Sequence, residues 1–203
     1  MIEVAISDMA RHELTFAAGV LGRGFRDNPI TVAVVGGDPL RRMRGAERVL
    51  GSAVALMDHP PLLARRGDWI VGVCGMAPPG TCHPPLLRQL RMLPAMLRSG
   101  PVAMSRYLRV VSAWEKRDPA DRHWHLGPVA VEPGLQGMSI GSQMLERFCA
   151  RMDDEGDMAH LETDKPENVR FYERFGFATI AEADVLGIPN WFMRREPKTS
   201  RSG

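Results

Sequence analysis

The stretch VAVEPGLQGMSIGSQML, Val129 to Leu145, leaves an apolar strand, turns at Pro133-Gly134 and enters a helix through a run of small residues. Side chains that small leave the backbone approachable, and three situations suit them: a phosphate group, a tight turn with no ligand, or a second helix packed closely. If a helix begins near Met138, its first N–H groups lack intrahelical partners and lie at the positive end of the helix dipole, which suits a phosphate or pyrophosphate. Gly137 and Gly141 would let such an anion reach the backbone, and Ser139 and Ser142 could add hydroxyl donors. A glycine-rich turn alone is weak evidence, because a plain strand-turn-helix connection uses the same residues. Two further side chains could move protons. Tyr172, in FYERFGF, carries a phenol that stays protonated at neutral pH, although the segment also reads as an aromatic helix face packed on a core. His125, in HWHLGPVAV, titrates in the range of a base or water relay, or makes a structural hydrogen bond from a half-buried position.

Those residues need elements to hold them. Alternation on Ile2, Val4 and Ile6 marks a first strand, with Ser7 or Asp8 capping a helix that runs to about Gly24. GRGFRDNPI breaks it. An amphipathic helix follows from Arg41 to Met57 with Arg41, Arg42, Arg44 and Arg48 outward, and LLARRGDWIVGVCGM reads as a hairpin turning at Arg66-Gly67-Asp68. From Pro84 to Asp118 the chain is helical and rich in Leu, Met and Arg, interrupted at Pro94 and at Ser99-Gly100-Pro101. A strand spans His123 to Val131, a helix Gly141 to Glu155, a strand Met158 to Glu162 and a short helix Pro166 to Phe175. Phe177 to Val185 and Trp191 to Arg195 close as paired strands. Alternation puts His123, His125, Gly127, Val129 and Val131 on one face. The pattern predicts an α/β (α+β) fold with helices and hairpins around a mixed sheet. It forms one domain over 1–196, with a helical insertion around 84–118 and a disordered tail over 197–203.

Composition narrows the function classes. With 203 residues, 44% hydrophobic and 25% charged, the chain can build one substantial core. A formal net charge of +2 lacks the basic excess of a nucleic-acid or membrane surface, and the arginines at 41–48 and 88–109 read as solvated helix faces. Cys74, Cys82 and Cys149 have no zinc-type spacing and read as small buried hydrophobes in a reducing compartment, so no metal is expected. Glu3, Asp8, Arg11 and Glu13 interrupt the apolar run a signal peptide needs, and no uncharged stretch reaches membrane-spanning length. A cytoplasmic location is expected.

Gln136-x-x-Ser139-x-Gly141, following VAVEP, closely resembles the Gln/Arg-x-x-Gly-x-Gly/Ala signature of the GNAT superfamily of N-acetyltransferases. Downstream, LETDKPENVRFYERFGF resembles the second half-site of that family: an Asn-containing turn, a helix bearing a Tyr, and Gly-Phe four and five residues after it. The order of segments, from GFRDNPI through DWIVGVCGMAPPG and HWHLGPVAVEP to NWFMRREP, is similar to that of the puromycin N-acetyltransferase-like branch. The resemblance implies a GNAT-like mixed, splayed sheet of about six to seven strands with helices on both faces. It implies acetyl-CoA as acyl donor in the splay between the fourth and fifth strands. By the same resemblance the pyrophosphate lies on Gln136, Gly137, Met138, Ser139, Ile140, Gly141 and Ser142. Backbone groups of Val129, Ala130 and Val131 would bond the pantetheine arm and polarise the thioester oxygen. Asn168 would bond an amide of that arm, and Tyr172 would protonate the departing thiolate. His125 falls where several family members carry a catalytic Glu and is the first candidate base; Glu132 and Glu162 stand behind it, and His59 is a weaker acceptor-side candidate.

Two residues depart from the family pattern. Ser139 stands where Gly is usual and Met138 where Arg or Lys is common. A left-handed backbone would cost a serine roughly 1–2 kcal/mol; a helical conformation is expected at 139 because the helix starts nearby. The implied activity is transfer of an acetyl group from acetyl-CoA to a primary amine of a small molecule by direct attack, as in antibiotic modification. Neither nucleic acid nor membrane takes part, and the protein is a monomer or homodimer. The alternative is a non-catalytic CoA-binding or protein-interaction relative that keeps the fold, which Ser139 and Met138 motivate. Rossmann-type dinucleotide binding fits poorly, since no three-glycine fingerprint opens a βαβ unit. Met92, Met96 and Met104 either line the acceptor pocket or fill core.

Overall fold

The computed structural model describes residues 2–81 and 90–198. Cys82, the 84–89 part of the expected helical insertion and the 199–203 part of the expected tail lie outside the described residues. Strands β1 (Ala5–Asp8), β2 (Leu62–Arg66), β3 (Trp69–Ala77), β4 (His123–Val131), β5 (Met158–Thr163), β6 (Ala178–Val185) and β7 (Ile188–Arg195) form one seven-stranded sheet in the order β1-β2-β3-β4-β5-β7-β6. Neighbours β4 and β5 run parallel and the others antiparallel. Among the described residues the α-helices are α1 (Leu14–Gly24), α2 (Pro29–Val35), α3 (Pro39–Ala55), α4 (Leu93–Leu97), α5 (Pro101–Glu115), α6 (Ile140–Glu155) and α7 (Pro166–Glu173).

Each face of the sheet is covered for a reason visible in the chain. On α6, Ile140, Met144, Leu145, Phe148, Cys149 and Met152 are buried, the spacing of a single apolar helical stripe. That stripe packs on Cys74, Met76, Trp124, Leu126 and Leu161 from the sheet, each fully buried large side chain contributing about 1.5–3 kcal/mol. On the opposite face, Ala17, Val20 and Leu21 of α1 and Val54 of α3 cover Leu63, Val73 and Ala130. Two Asx-Pro steps start the helices on that side. Asn28 accepts from Thr31 N–H at 3.2 Å and Asp38 from Leu40 N–H at 2.9 Å, while Pro29 and Pro39 occupy first-turn positions that need no donor.

Three local expectations change. Ser7 and Asp8 do not cap a helix, because β1 extends through them to pair with Leu63 and Leu62; the chain turns instead through Arg11–Glu13, where Glu13 accepts from Ala10 N–H at 2.8 Å. Arg42 points inward rather than outward: its guanidinium donates to the carbonyls of Arg26, Gly36 and Gly37 and to Asp27, fastening both connections that flank α2. The third change is a bulge in β4. Its register against β3 moves from Met76↔Leu126 to Cys74↔Val129, two residues on one strand against three on the other. Alternation therefore changes phase at Gly127-Pro128. Trp124 and Leu126 share the α6 face with Val129 and Val131, and His123 and His125 lie on the other face with Ala130. Gly75 makes this approach possible, since a Cβ there would lie 2.6 Å from the Gly127 carbonyl oxygen.

Candidate functional site

The parallel pairing of β4 with β5 runs only from His123↔Met158 to His125↔His160. Beyond it the two strands part. Glu132 N–H donates to the Val71 carbonyl at 2.9 Å, so with a period of two Ala130 also turns its backbone to β3, while Val129 and Val131 turn theirs into the gap beside β5. The Val131 carbonyl accepts from Gln136 Nε2 at 3.2 Å, tying the following loop back to the strand.

That loop is more strained than expected. Gly137 has φ 77° and Ser139, immediately before α6, has φ 65° and ψ 11°. The helical conformation expected for Ser139 is thus wrong: the chain passes from an extended Gln136 into the helix through left-handed residues at both 137 and 139, and only the first is glycine. Ser139 supplies no side-chain cap. Its carbonyl accepts from Gln143 N–H at 3.1 Å, which leaves the N–H groups of Ile140, Gly141 and Ser142 without intrahelical partners.

These features border a cavity of about 610 Å³. Val129, Ala130, Val131, Gln136, Gly137, Ser139, Ile140, Gly141, Ser142, Asn168 and Tyr172 all line it. Met138 does not; its side chain is exposed and its carbonyl accepts from Ile2 N–H at 3.4 Å. Lys165 and Arg174, which sequence reasoning passed over, line the same cavity and supply the positive charge absent at Met138. Asn168 Nδ2 donates to Thr163 Oγ1 at 3.1 Å.

A second cavity, of about 390 Å³, opens on the other side of Tyr172. Its walls are largely apolar, with Leu50 and Met57 near α3 and Val110 and Trp114 from α5, and its polar end holds His125, Glu162 and Asp164. Met92 lines it, whereas Met96 is buried against Val49 and Ala95, with Met104 packed on that cluster. Phe25, Asn28, Val129, Asn168 and Tyr172 border both cavities. Asn28 and Asp164, which the sequence did not flag, hold this junction: Asp164 accepts from Asn28 Nδ2 at 2.7 Å and from Ile30 N–H at 2.8 Å, pinning the end of β5 to α2. Burial pushes the Tyr172 phenol above its ordinary range, so it stays protonated.

Behind the polar end lies a knot of imidazoles and carboxylates. His125 Nε2 is 3.1 Å from Glu162 Oε2 and its Nδ1 3.7 Å from Asp118 Oδ1; His123 Nε2 is 3.2 Å from the same oxygen. Burial alone would raise the Glu162 carboxyl, but the facing His125 outweighs it and holds it below the usual value. Asp118 is likewise raised by burial and brought well below its ordinary value by His123 and His125. His160, fully buried and edge-on to both other rings, is pushed down to about 4, first by burial. Two other candidate residues lie elsewhere. Glu132 is engaged by Arg23, and His59 packs edge-on to Trp124 while Arg151 donates to its Nε2 at 2.9 Å. Cys74 and Cys149 are buried free thiols.

Over residues 54–177 the chain matches the acetyltransferase (GNAT) family model. Solved structures share the fold at low identity. A Corynebacterium glutamicum protein described as histone acetyltransferase HPA2 and related acetyltransferase is 18% identical, with 98% of this chain and 99% of that one covered at a TM-score of 0.72. A Drosophila melanogaster polyamine N-acetyltransferase that forms N-acetylagmatine is 14% identical, covering 96% and 100% at 0.64. A Brucella melitensis GNAT family acetyltransferase, solved with acetyl-CoA, is 17% identical, covering 96% and 88% at 0.54.

Proposed function

We propose that this chain, which belongs to the GNAT acetyltransferase family, moves an acetyl group from acetyl-CoA to a primary amine of a small molecule by direct attack. One observation carries the reading: two cavities with different linings meet at Tyr172, one bordered by an open strand edge and a helix N-terminus, the other by an apolar wall with acids at one end. The first suits a diphosphate on an extended arm. Unpartnered N–H groups at Ile140 to Ser142 face the phosphates, Lys165 and Arg174 add charge, and Val129 offers backbone bonds to the arm. The second suits an amine on an apolar body, drawn to the end where Glu162 and Asp164 are buried. The segment order supports the puromycin-type branch, and hence an amino-bearing antibiotic as one acceptor to screen.

The chemistry balances without further reagents. The amine nitrogen attacks the thioester carbon, the carbon–sulfur bond breaks, and the thiolate takes the proton of the Tyr172 phenol. The proton released by the amine passes to His125, whose imidazole Glu162 steadies from behind. A backbone N–H on β4 that holds the developing oxyanion contributes a few kcal/mol, about 2.7–4. An acetyl-CoA turnover screen over diverse amines tests the reading. Tyr172→Phe should lower kcat by roughly 100-fold, the low end for general acid catalysis, with CoA affinity unchanged. His125→Ala should lower it too. Rates that survive both substitutions refute the assignment. The left-handed Ser139 favours one second reading, a CoA-binding relative without turnover; CoA binding with no thiol released across the amine panel would establish it.

A further inference from the structure

We infer that the amine acceptor is an amphiphilic monoamine whose apolar body spans about 10 Å and ends in a hydrogen-bond-accepting group, which Tyr107, Ser99 and Arg48 read. This rests on the reading of the second cavity as the acceptor pocket. Two helical stripes wall that cavity, Val49 and Ala53 from α3 and Tyr107, Val110 and Trp114 from α5. Trp114 lies at the acidic end. Its indole Nε1 donates to Asn190 Oδ1 at 3.0 Å, and Asn190 directly precedes Trp191 and Phe192, the β7 partners of Thr163 and Glu162. Just past the same end of α5, Asp118 Oδ1 lies 3.7 Å from His125 Nδ1. Two turns back along the helix, at about 1.5 Å per residue, Tyr107 is about 10 Å from that end. The wall between is apolar, so it suits methylenes or rings.

The Tyr107 end gathers polar groups that the protein itself does not bond. Tyr107 lines the cavity, and its Oη makes no hydrogen bond among the described residues. Ser99 Oγ and Arg48 Nε are buried there without partners, and Ser99 as a whole is only 9% exposed. All three meet around Gly45 of α3. A Cβ at Gly45 would lie 3.8 Å from Ser99 Oγ and 3.9 Å from Tyr107 Oη. Arg48 follows one turn later on the same helix face. Burial raises the Tyr107 phenol above its ordinary range, and the nearby Arg48 charge offsets part of that rise. Buried polar groups left unpaired cost free energy that an entering oxygen acceptor recovers. A carboxylate recovers most, because Arg48 only donates and carries the opposite charge. An ammonium at the same place would instead face a like charge. The two ends of the cavity therefore ask for opposite things: Glu162, 6% exposed, draws an ammonium, and the Tyr107 end turns one away. A polyamine, charged at both ends, is a poor acceptor for such a cavity.

Three probes of one length isolate the far end. Octylamine, ω-aminooctanoate and α,ω-diaminooctane share an amine on a straight chain and end in a methyl, a carboxylate and a second ammonium. Full-length protein in the presence of CoA is titrated calorimetrically with each, and thiol release from acetyl-CoA is followed separately. Aminooctanoate should bind about 10-fold more tightly than octylamine, the worth of hydrogen bonds to a charged group, and the diamine about 10-fold more weakly than octylamine. Tyr107→Phe should narrow the first ratio to within about 3-fold, and Arg48→Met should narrow both. Each ratio is taken within one protein, so a variant that folds poorly loses all three probes together, and the ratios in the unmutated protein then decide. Equal affinities for the three probes, a diamine held more tightly than aminooctanoate, or no binding of any probe would overturn the far-end site, whatever the thiol assay reads. The expected ratios without thiol release would uphold it and sink acetyl transfer instead.

Discussion

Ser139→Gly should stabilise the protein, and its magnitude follows from the backbone alone. Ser139 holds φ 65° and ψ 11° without a compensating side-chain cap, a conformation that costs an L-residue roughly 1–2 kcal/mol. Glycine removes that cost but gives the unfolded chain more freedom, which takes back about 0.4–1 kcal/mol. The net gain is about 0.5–1 kcal/mol, or a rise in Tm of about 1–4 °C for a domain of this size. Scanning calorimetry on the unmutated protein, Ser139→Gly and Ser139→Ala reads it directly. Alanine keeps the strain and deletes only the hydroxyl, so it should gain nothing. A glycine variant that melts at or below the parent, or an alanine variant that gains as much as glycine, would refute the account of strain at this turn.

Asp164→Ala leaves Asn28 Nδ2 and Ile30 N–H buried without their acceptor and should cost about 3 kcal/mol in denaturant unfolding; a loss below about 1 kcal/mol would mean that water replaces the carboxylate. Gly75→Ala drives a methyl group to 2.6 Å from the Gly127 carbonyl oxygen and should cost about 1–3 kcal/mol, with an unchanged melting curve showing that the bulge yields freely. Glu13, paired with Arg65 and bonded by Ala10 N–H, titrates near 2 in the folded protein against 4.5 for the free group. A depressed carboxyl contributes stability in full above its unfolded value and loses it as pH falls through the folded one. Unfolding free energy should therefore drop less steeply between pH 5 and pH 2 in Glu13→Gln than in the parent, and parallel slopes would remove Glu13 from acid sensitivity.

What the sequence could convey depended on whether a signal was local. The stripe of α6 and the alternation at either end of β4 are repeats within a few residues, and both elements form where those repeats lie. Helix α2, PITVAVV, has no polar face and is rich in β-branched residues, so nothing in its seven positions distinguishes it from strand or loop. Ser7 and Asp8 suit a cap as well as a strand, and the deciding partner, β2, is far along the chain. Arg42 looked like surface because its partners are backbone carbonyls, which leave no mark in a side-chain pattern. The bulge at Gly127-Pro128 defeated simple counting: alternation assumes no extra residue, and one inserted residue moved His125 to the face opposite Val129. Tyr172 and Asn168 were legible through the spacing of their motif. Asp118 and Asp164 were not, because each lies beyond the end of an element and gains its meaning only from side chains brought in by the tertiary fold.

A sheet normally leaves pairing unfinished at its margins, and this one also leaves it unfinished at its centre. Deuterium should therefore enter β4 unevenly, quickly at the amides of Val129 and Val131 and slowly at Ala130, which faces β3. An extended guest laid along the seam would even out that rhythm and join the two halves of the sheet into one lattice.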